Sequence, residues 1–212
     1  MEFKSIFFIG IIEENEMRSI FNLSEELFLL SNYKIIYKNK THDVMGVTNG
    51  NIVFVIFDFI RDNIKKLNFS NFYFDIVIHS LSNSNDNLLC NDVFKSCKIC
   101  ILNSDDENWI QFIKGLDNPI VITYGFNSKS TLTISSHNIN QQIEANLYLQ
   151  REITPLSGER LEPFEFSLVA LSNDKEHIYP ILAASALNLL LGDGILSKKP
   201  YAIVKLKAIS WE

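Results

Sequence analysis

Short apolar runs rich in β-branched and aromatic residues alternate with stretches of helical period along the first part of the chain, and few architectures accept that alternation. The runs are Ser5–Ile12, Lys34–Tyr37, Ile52–Phe57, Phe74–His79, Lys98–Leu102 and Pro119–Tyr124. Each has the length of a buried strand. After the first, Met17–Leu30 places Ile20, Leu23, Leu27 and Leu30 on one helical face and keeps Glu25 and Glu26 off it. Before the last, Asp105–Leu116 lines up Trp109, Phe112, Ile113 and Leu116, with Ser104 as its N-cap. Strands that alternate with helices predict βαβ crossovers. The expected fold is therefore α/β, with a mostly parallel sheet between two layers of helices.

The texture changes after Gly125. Ser128–Ile134, Ala145–Glu152 and Glu165–Leu171 read as alternating strands, with Gly158 and Pro163 marking a loop. This predicts an antiparallel excursion at the edge of the sheet. Ile178–Leu191 then reads as a packed helix stopped by Gly192, with Pro180 in its first turn, where a missing N–H costs little. Tyr201–Ile209 has the character of one more strand. With no repeat, low-complexity tract or linker, residues 1–212 read as a single domain.

Composition narrows the function. The chain is 47% hydrophobic, enough for a sizeable core, and carries a net charge of -6. That balance gives no basic footprint for nucleic acid. No run is long enough for a membrane-spanning helix. The apolar run Ile6–Ile12 ends at Glu13-Glu14 with no small-residue cleavage site, unlike a secretory leader. A cytoplasmic protein is expected. The three cysteines, Cys90, Cys97 and Cys100, read as reduced thiols. Cys97 and Cys100 have the spacing of half a zinc site, but on a strand they would face opposite sides.

Several segments carry a family resemblance. A strand leads into IGIIEENEMRS and then a helix; VFVIFDF carries Asp58 near its end; NFYFDIVIHS follows; then come Asn103-Ser104-Asp105-Asp106, Ile122-Thr123-Tyr124-Gly125 and HIYPILAASALNLLLG. In this order and spacing they resemble the central, P-loop-type domain of the Mur ligases, the ATP-dependent amide-forming enzymes of peptidoglycan, folylpolyglutamate and cyanophycin synthesis. The resemblance implies adenosine contacts at Asn103, Asp105 and Asp106. It also implies a phosphate loop that includes Asn15 and Ser19, and a metal ligand at Asp58.

The chemistry of that family needs more than this sequence offers. Phosphate cradling requires close backbone N–H groups, a Lys and a metal-binding hydroxyl. Here the loop reads Glu13, Glu14, Asn15, Glu16, Met17, Arg18, Ser19. Met17 holds the Lys position, and Glu13 and Glu16 hold the inner Gly positions, where a Cβ obstructs approach. The family's metal-binding His position falls on Asn85, and His79 lies where the family has Thr. No Lys stands at the modified-Lys position; Lys95 comes too late. The family's N-terminal UDP-sugar domain and C-terminal ligase domain have no counterpart in the sequence. The expectation is a non-catalytic domain that needs no cofactor and acts through a protein partner or a second copy of itself. Two alternatives stand beside it. One is a nucleotide-binding module that keeps the adenosine side, with ATP and Mg²⁺ as ligands. The other is one part of a split ATP-dependent amide ligase.

Overall fold

A computed structural model describes residues 5–14, 18–39, 43–60, 72–80, 92–171, 177–198 and 204–206. The chain divides into two compact units. The first holds residues 1–18 and 32–122, and the second holds 19–31 and 123–212.

In the first unit, β1 (Ser5–Glu13) lies between β4 (Ile52–Ile60) and β5 (Ile76–His79), parallel to both. β6 (Ile99–Asn103) continues the parallel run beside β5. On the other side, β3 (Val44–Thr48) pairs antiparallel with β4, and β2 (Lys34–Asn39) pairs antiparallel with β3. The parallel run formed by chain crossovers is the expected α/β architecture; the antiparallel edge of β2 and β3 lies outside that expectation. β3 was not expected. Its turn carries Asn49-Gly50, a hairpin signal, with Gly50 at φ 97 and the Asn49 side chain accepting from Asn51 N–H and Ile52 N–H.

One face of this sheet is covered by a cluster of Ile12, Phe59, Phe74, Val77, Phe94, Cys100, Leu102 and Phe112. It includes residues of α2 (Asp92–Lys95) and α3 (Trp109–Lys114). Aromatic rings dominate it. Phe74 packs edge-on against Phe57, Phe59 and Phe72 at centroid distances of 5.0–5.7 Å. Gly10 admits those rings, because a Cβ there would stand 3.3 Å from Phe74. Asp75 ties the strands' entry together: its carboxylate accepts from Phe8 N–H at 2.9 Å and from the Lys98 ammonium at 2.7 Å.

Two expectations need correction here. The helix expected from Asp105 begins only at Trp109, because Asn103 Oδ1 accepts from Asp105 N–H and Asp106 Oδ1 accepts from Asn108 N–H. These turns take up the backbone that a helix would have used. Nor do Cys97 and Cys100 face apart. Cys97 precedes β6, and the two buried thiols share a hydrogen bond. That bond and burial push the Cys100 thiol well up.

In the second unit, β8 (Leu132–Ile139), β9 (Ile143–Leu149) and β10 (Phe164–Ala170) form the antiparallel excursion. β7 (Ile120–Tyr124), within which the two units divide, meets β8 in parallel at Tyr124 and Leu132. β11 (Val204–Leu206) lies parallel to β10. β8 starts later than its sequence pattern suggested, because Asn127 closes a turn by accepting from Lys129 N–H and Ser130 N–H. Two helices, α1 (Ser19–Leu30) and α4 (Ile178–Leu191), pack together, followed by the short α5 (Ile195–Lys198). α4 ends as read, at Gly192 with φ 78. Among the described residues, no helix is long and apolar enough to cross a membrane.

Candidate functional site

Parallel strands end together, and their carboxyl ends are where open α/β sheets place their ligands. The register aligns Ile11 with Asp58 and with Ile78, and Ile78 with Ile101. Glu13, Asp58, His79 and Asn103 therefore collect at one edge of the first unit. Alternation splits them between two faces. Glu13 and Asp58 share one face. His79, in register with Ile12, points to the other.

A charge cluster forms on the first face. Arg18, at φ 52, turns its guanidinium back onto the acids, with an ion pair to Asp43 and its Nε 3.5 Å from Asp58 Oδ2. Asp43, at φ 55, also accepts Asp58 N–H on its backbone carbonyl at 2.8 Å. Glu13 is buried at the end of β1, so the first acid of the expected loop belongs to the strand. The Asp58 side chain has no solvent exposure. Neither of its oxygens has a hydrogen-bond partner among the described residues, and the Arg18 contact is a Coulombic one. Burial above all, then the charge of Glu13, raises the Asp58 pKa to about 8 against the pull of Arg18, and Asp43 adds to the rise.

On the opposite face, His79 is 3% exposed and stacks on Phe112 at a centroid distance of 4.3 Å. Its Nε2 finds no hydrogen-bond partner among the described residues. Burial lowers its pKa to about 4, so the ring is neutral. It belongs to the aromatic core and not to the charge cluster.

The remaining sequence candidates are scattered. Asn103 stands at the carboxyl end of β6, where its side chain and that of Asp106 hold the turns described above. Asp105 is exposed on the same turn. Ser19 opens α1 and is buried. Asn15, Met17, Asn85 and Cys90 lie outside the described residues. Lys95 is exposed at the end of α2. The structure thus joins Asp58 to partners the sequence did not single out as a site: Glu13, Arg18 and Asp43. Arg18 was legible as the one cation of the loop. Nothing in the sequence placed Asp43 against it, because that contact depends on the unexpected β3.

As arranged, this cluster does not fit Mg²⁺. A divalent cation needs ionised oxygens and room for its water shell. Here Asp58 favours its protonated form, and a guanidinium already lies against the acids. Among the described residues, no His, Cys, Asp and Glu side chains are grouped to hold a metal ion.

No family model matches the chain, and no curated protein matches it by sequence. Solved structures do match in three dimensions. MurF from Acinetobacter baumannii gives a TM-score of 0.59 at 8% sequence identity, over 92% of this chain and 45% of that one. The UDP-N-acetylmuramoylalanyl-D-glutamyl-2,6-diaminopimelate--D-alanyl-D-alanyl ligase from the same organism gives 0.60 at 7%, over 92% and 45%. MurF from Thermotoga maritima, solved in complex with ADP, gives 0.55 at 9%, over 93% and 48%. The chain has a Mur-ligase-like fold and spans less than half the length of each of these proteins. At such identities the likeness speaks for the fold alone.

Proposed function

We propose that this chain is a degenerate Mur-ligase-like domain that does not turn over ATP and acts as an interaction or regulatory protein. One observation carries the reading: Arg18, the cation nearest the expected phosphate site, is committed to Asp43 and Asp58. A polyphosphate would have to win Arg18 from these acids and lie beside Glu13 and Asp43. Like charges at that spacing oppose binding. A second reading keeps a nucleoside, without turnover, near Asn103, Asp105 and Asp106. It rests on their place at the carboxyl end of β6.

Calorimetric titration with adenosine, ADP, ATP and Mg²⁺-ATP separates these readings from an active enzyme. The degenerate domain binds none of them tightly. The nucleoside module binds adenosine and ATP with similar weak affinity. Affinity that tightens with each phosphate and requires Mg²⁺, or ATP turnover at an enzyme-like rate in the purified protein, overturns both.

A further inference from the structure

The antiparallel excursion of the second unit carries an open groove of about 460 Å³ that plays no part in the charge cluster. Its volume falls in the range of small-ligand sites, about 300–1,000 Å³. Register shows how it is built. Ser136, Asn146 and Ser167 stand opposite one another across β8, β9 and β10, and Asn138, Glu144 and Val169 form the next row on the same face. Asn146 and Ser167 are half-buried and Val169 is buried, which makes a floor; Ser136, Asn138 and Glu144 are exposed and make the walls.

The floor is prearranged. Ser167 Oγ donates to Asn146 Oδ1 at 2.6 Å, and Asn146 Nδ2 donates to Ser136 Oγ at 2.8 Å. The chain of bonds fixes the amide and leaves defined capacity: the second N–H of Asn146, the hydroxyl proton of Ser136 and the lone pairs of Ser167. Glu144 receives Gln142 Nε2 on one oxygen and keeps the other. Two residues along β9 from Asn146, on the same face, Tyr148 is 39% exposed and offers an aromatic surface. Opposite Tyr148 stands Glu165, bound by Ser135.

From this arrangement we propose that the groove binds a neutral, hydroxyl-rich ligand of the oligosaccharide class. The site mixes donors with acceptors, as vicinal hydroxyls require. A cationic amine would use the carboxylate and leave the Ser136 and Asn146 donors unpaired. A phosphorylated ligand would face the Glu144 carboxylate. A protein surface would find no large apolar anchor on the floor. The site binds without cleaving. Glu144 is the one carboxylate among the described lining residues, and glycoside hydrolysis needs two.

The test is a ¹H–¹⁵N NMR titration of the full chain with maltotriose, cellotriose and N,N′-diacetylchitobiose, and with spermidine and glucose 6-phosphate as charged counterparts. At least one neutral sugar should give saturable shifts at the amides of Ser136, Asn146 and Ser167, with a Kd of about 1 mM or below. Asn146→Ala should weaken that binding about tenfold or more, equivalent to roughly 1.4 kcal/mol, with the rest of the spectrum unchanged. Should that variant fail to fold, Glu144→Gln on the exposed wall serves in its place and should weaken binding severalfold. The proposal is overturned if no sugar in the panel gives saturable shifts at these residues, if spermidine or glucose 6-phosphate binds there more tightly, or if the folded variants bind as the parent does.

Discussion

Arg18 holds its Nε 3.5 Å from Oδ2 of Asp58, a carboxyl with no access to solvent. The pair works as a plug: it places the loop's cation among acids that would otherwise repel one another. Replacing Arg18 by Met should break the ion pair with Asp43 and remove the charge that draws the Asp58 pKa down. Breaking a buried pair from one side costs on the order of 3–5 kcal/mol, and the 28% and 14% exposure of the Arg18 and Asp43 side chains places this case at or below the lower end. Urea unfolding at pH 7 measures it.

The raised Asp58 pKa fixes the sign of a pH effect. A carboxyl that titrates near 8 when folded and near 3.8 when unfolded binds more protons in the folded state between those values. Its contribution to stability is complete below the lower value and is lost as pH rises through the higher one. His79 works the other way. Its folded value of about 4 lies below the ordinary 6.5, so its contribution is present above 6.5 and is lost as pH falls. The two oppose each other in mildly acidic solution, and from about pH 6.5 to 8 only Asp58 remains. Stability should therefore fall by about 1–2 kcal/mol over that interval. Asp58→Asn should flatten the slope in denaturant titrations at stepped pH.

His79→Phe should stabilise the protein by about 1 kcal/mol at pH 7, since it removes a buried nitrogen without a described partner while keeping the stack on Phe112. The gain should grow toward pH 5, because the unfolded parent then gains a proton at His79 that the buried ring does not take up. A variant that loses stability at both pH values would show that Nε2 has a partner after all.

In the second unit, Asn188 of α4 donates to Ser31 Oγ at 3.0 Å and accepts from Leu196 N–H at 3.2 Å, while Ser31 Oγ also receives Ile195 N–H. This buried polar link joins α1, α4 and α5. Asn188→Ala should lower unfolding stability by about 2–3 kcal/mol. Asn188→Asp should not restore it, because the group that donates to Ser31 becomes an acceptor.

Gly192→Ala should cost at least about 1–2 kcal/mol, because φ 78 is a left-handed conformation and the added Cβ would fall 2.1 Å from Ser157 Oγ. Adding Ser157→Gly should recover the steric part and leave the backbone part, which a double-mutant cycle resolves.

The sequence showed most where a residue's surroundings come from its own segment. β1, β4 and β6 follow from their apolar runs, and α4 has the ends its capping Gly and first-turn Pro imply. It showed less where short polar side chains compete for the backbone. Asn103, Asp106 and Asn127 each bind a nearby N–H and delay the element that follows. The charge cluster was the hardest to read. It needs Arg18 and Asp43 in left-handed conformations and a hairpin that brings Asp43 beside the end of β4. None of these leaves a periodic mark, so Asp58 alone was singled out.

The central position of β1 has a consequence for the order in which the chain can assemble. β1 is made before the strands on both its sides: β4 starts at Ile52, and the Asp75 carboxylate that receives Phe8 N–H is 67 residues away. The β3–β4 hairpin, closed by Asn49-Gly50, can form within about 1–10 μs of leaving the ribosome. β1 must wait, with Ile9, Ile11 and Ile12 uncovered, until its neighbours have been made. A nascent chain stalled before Ile52 should therefore be bound by chaperones at β1, and one that has released residues through Asn103 should not.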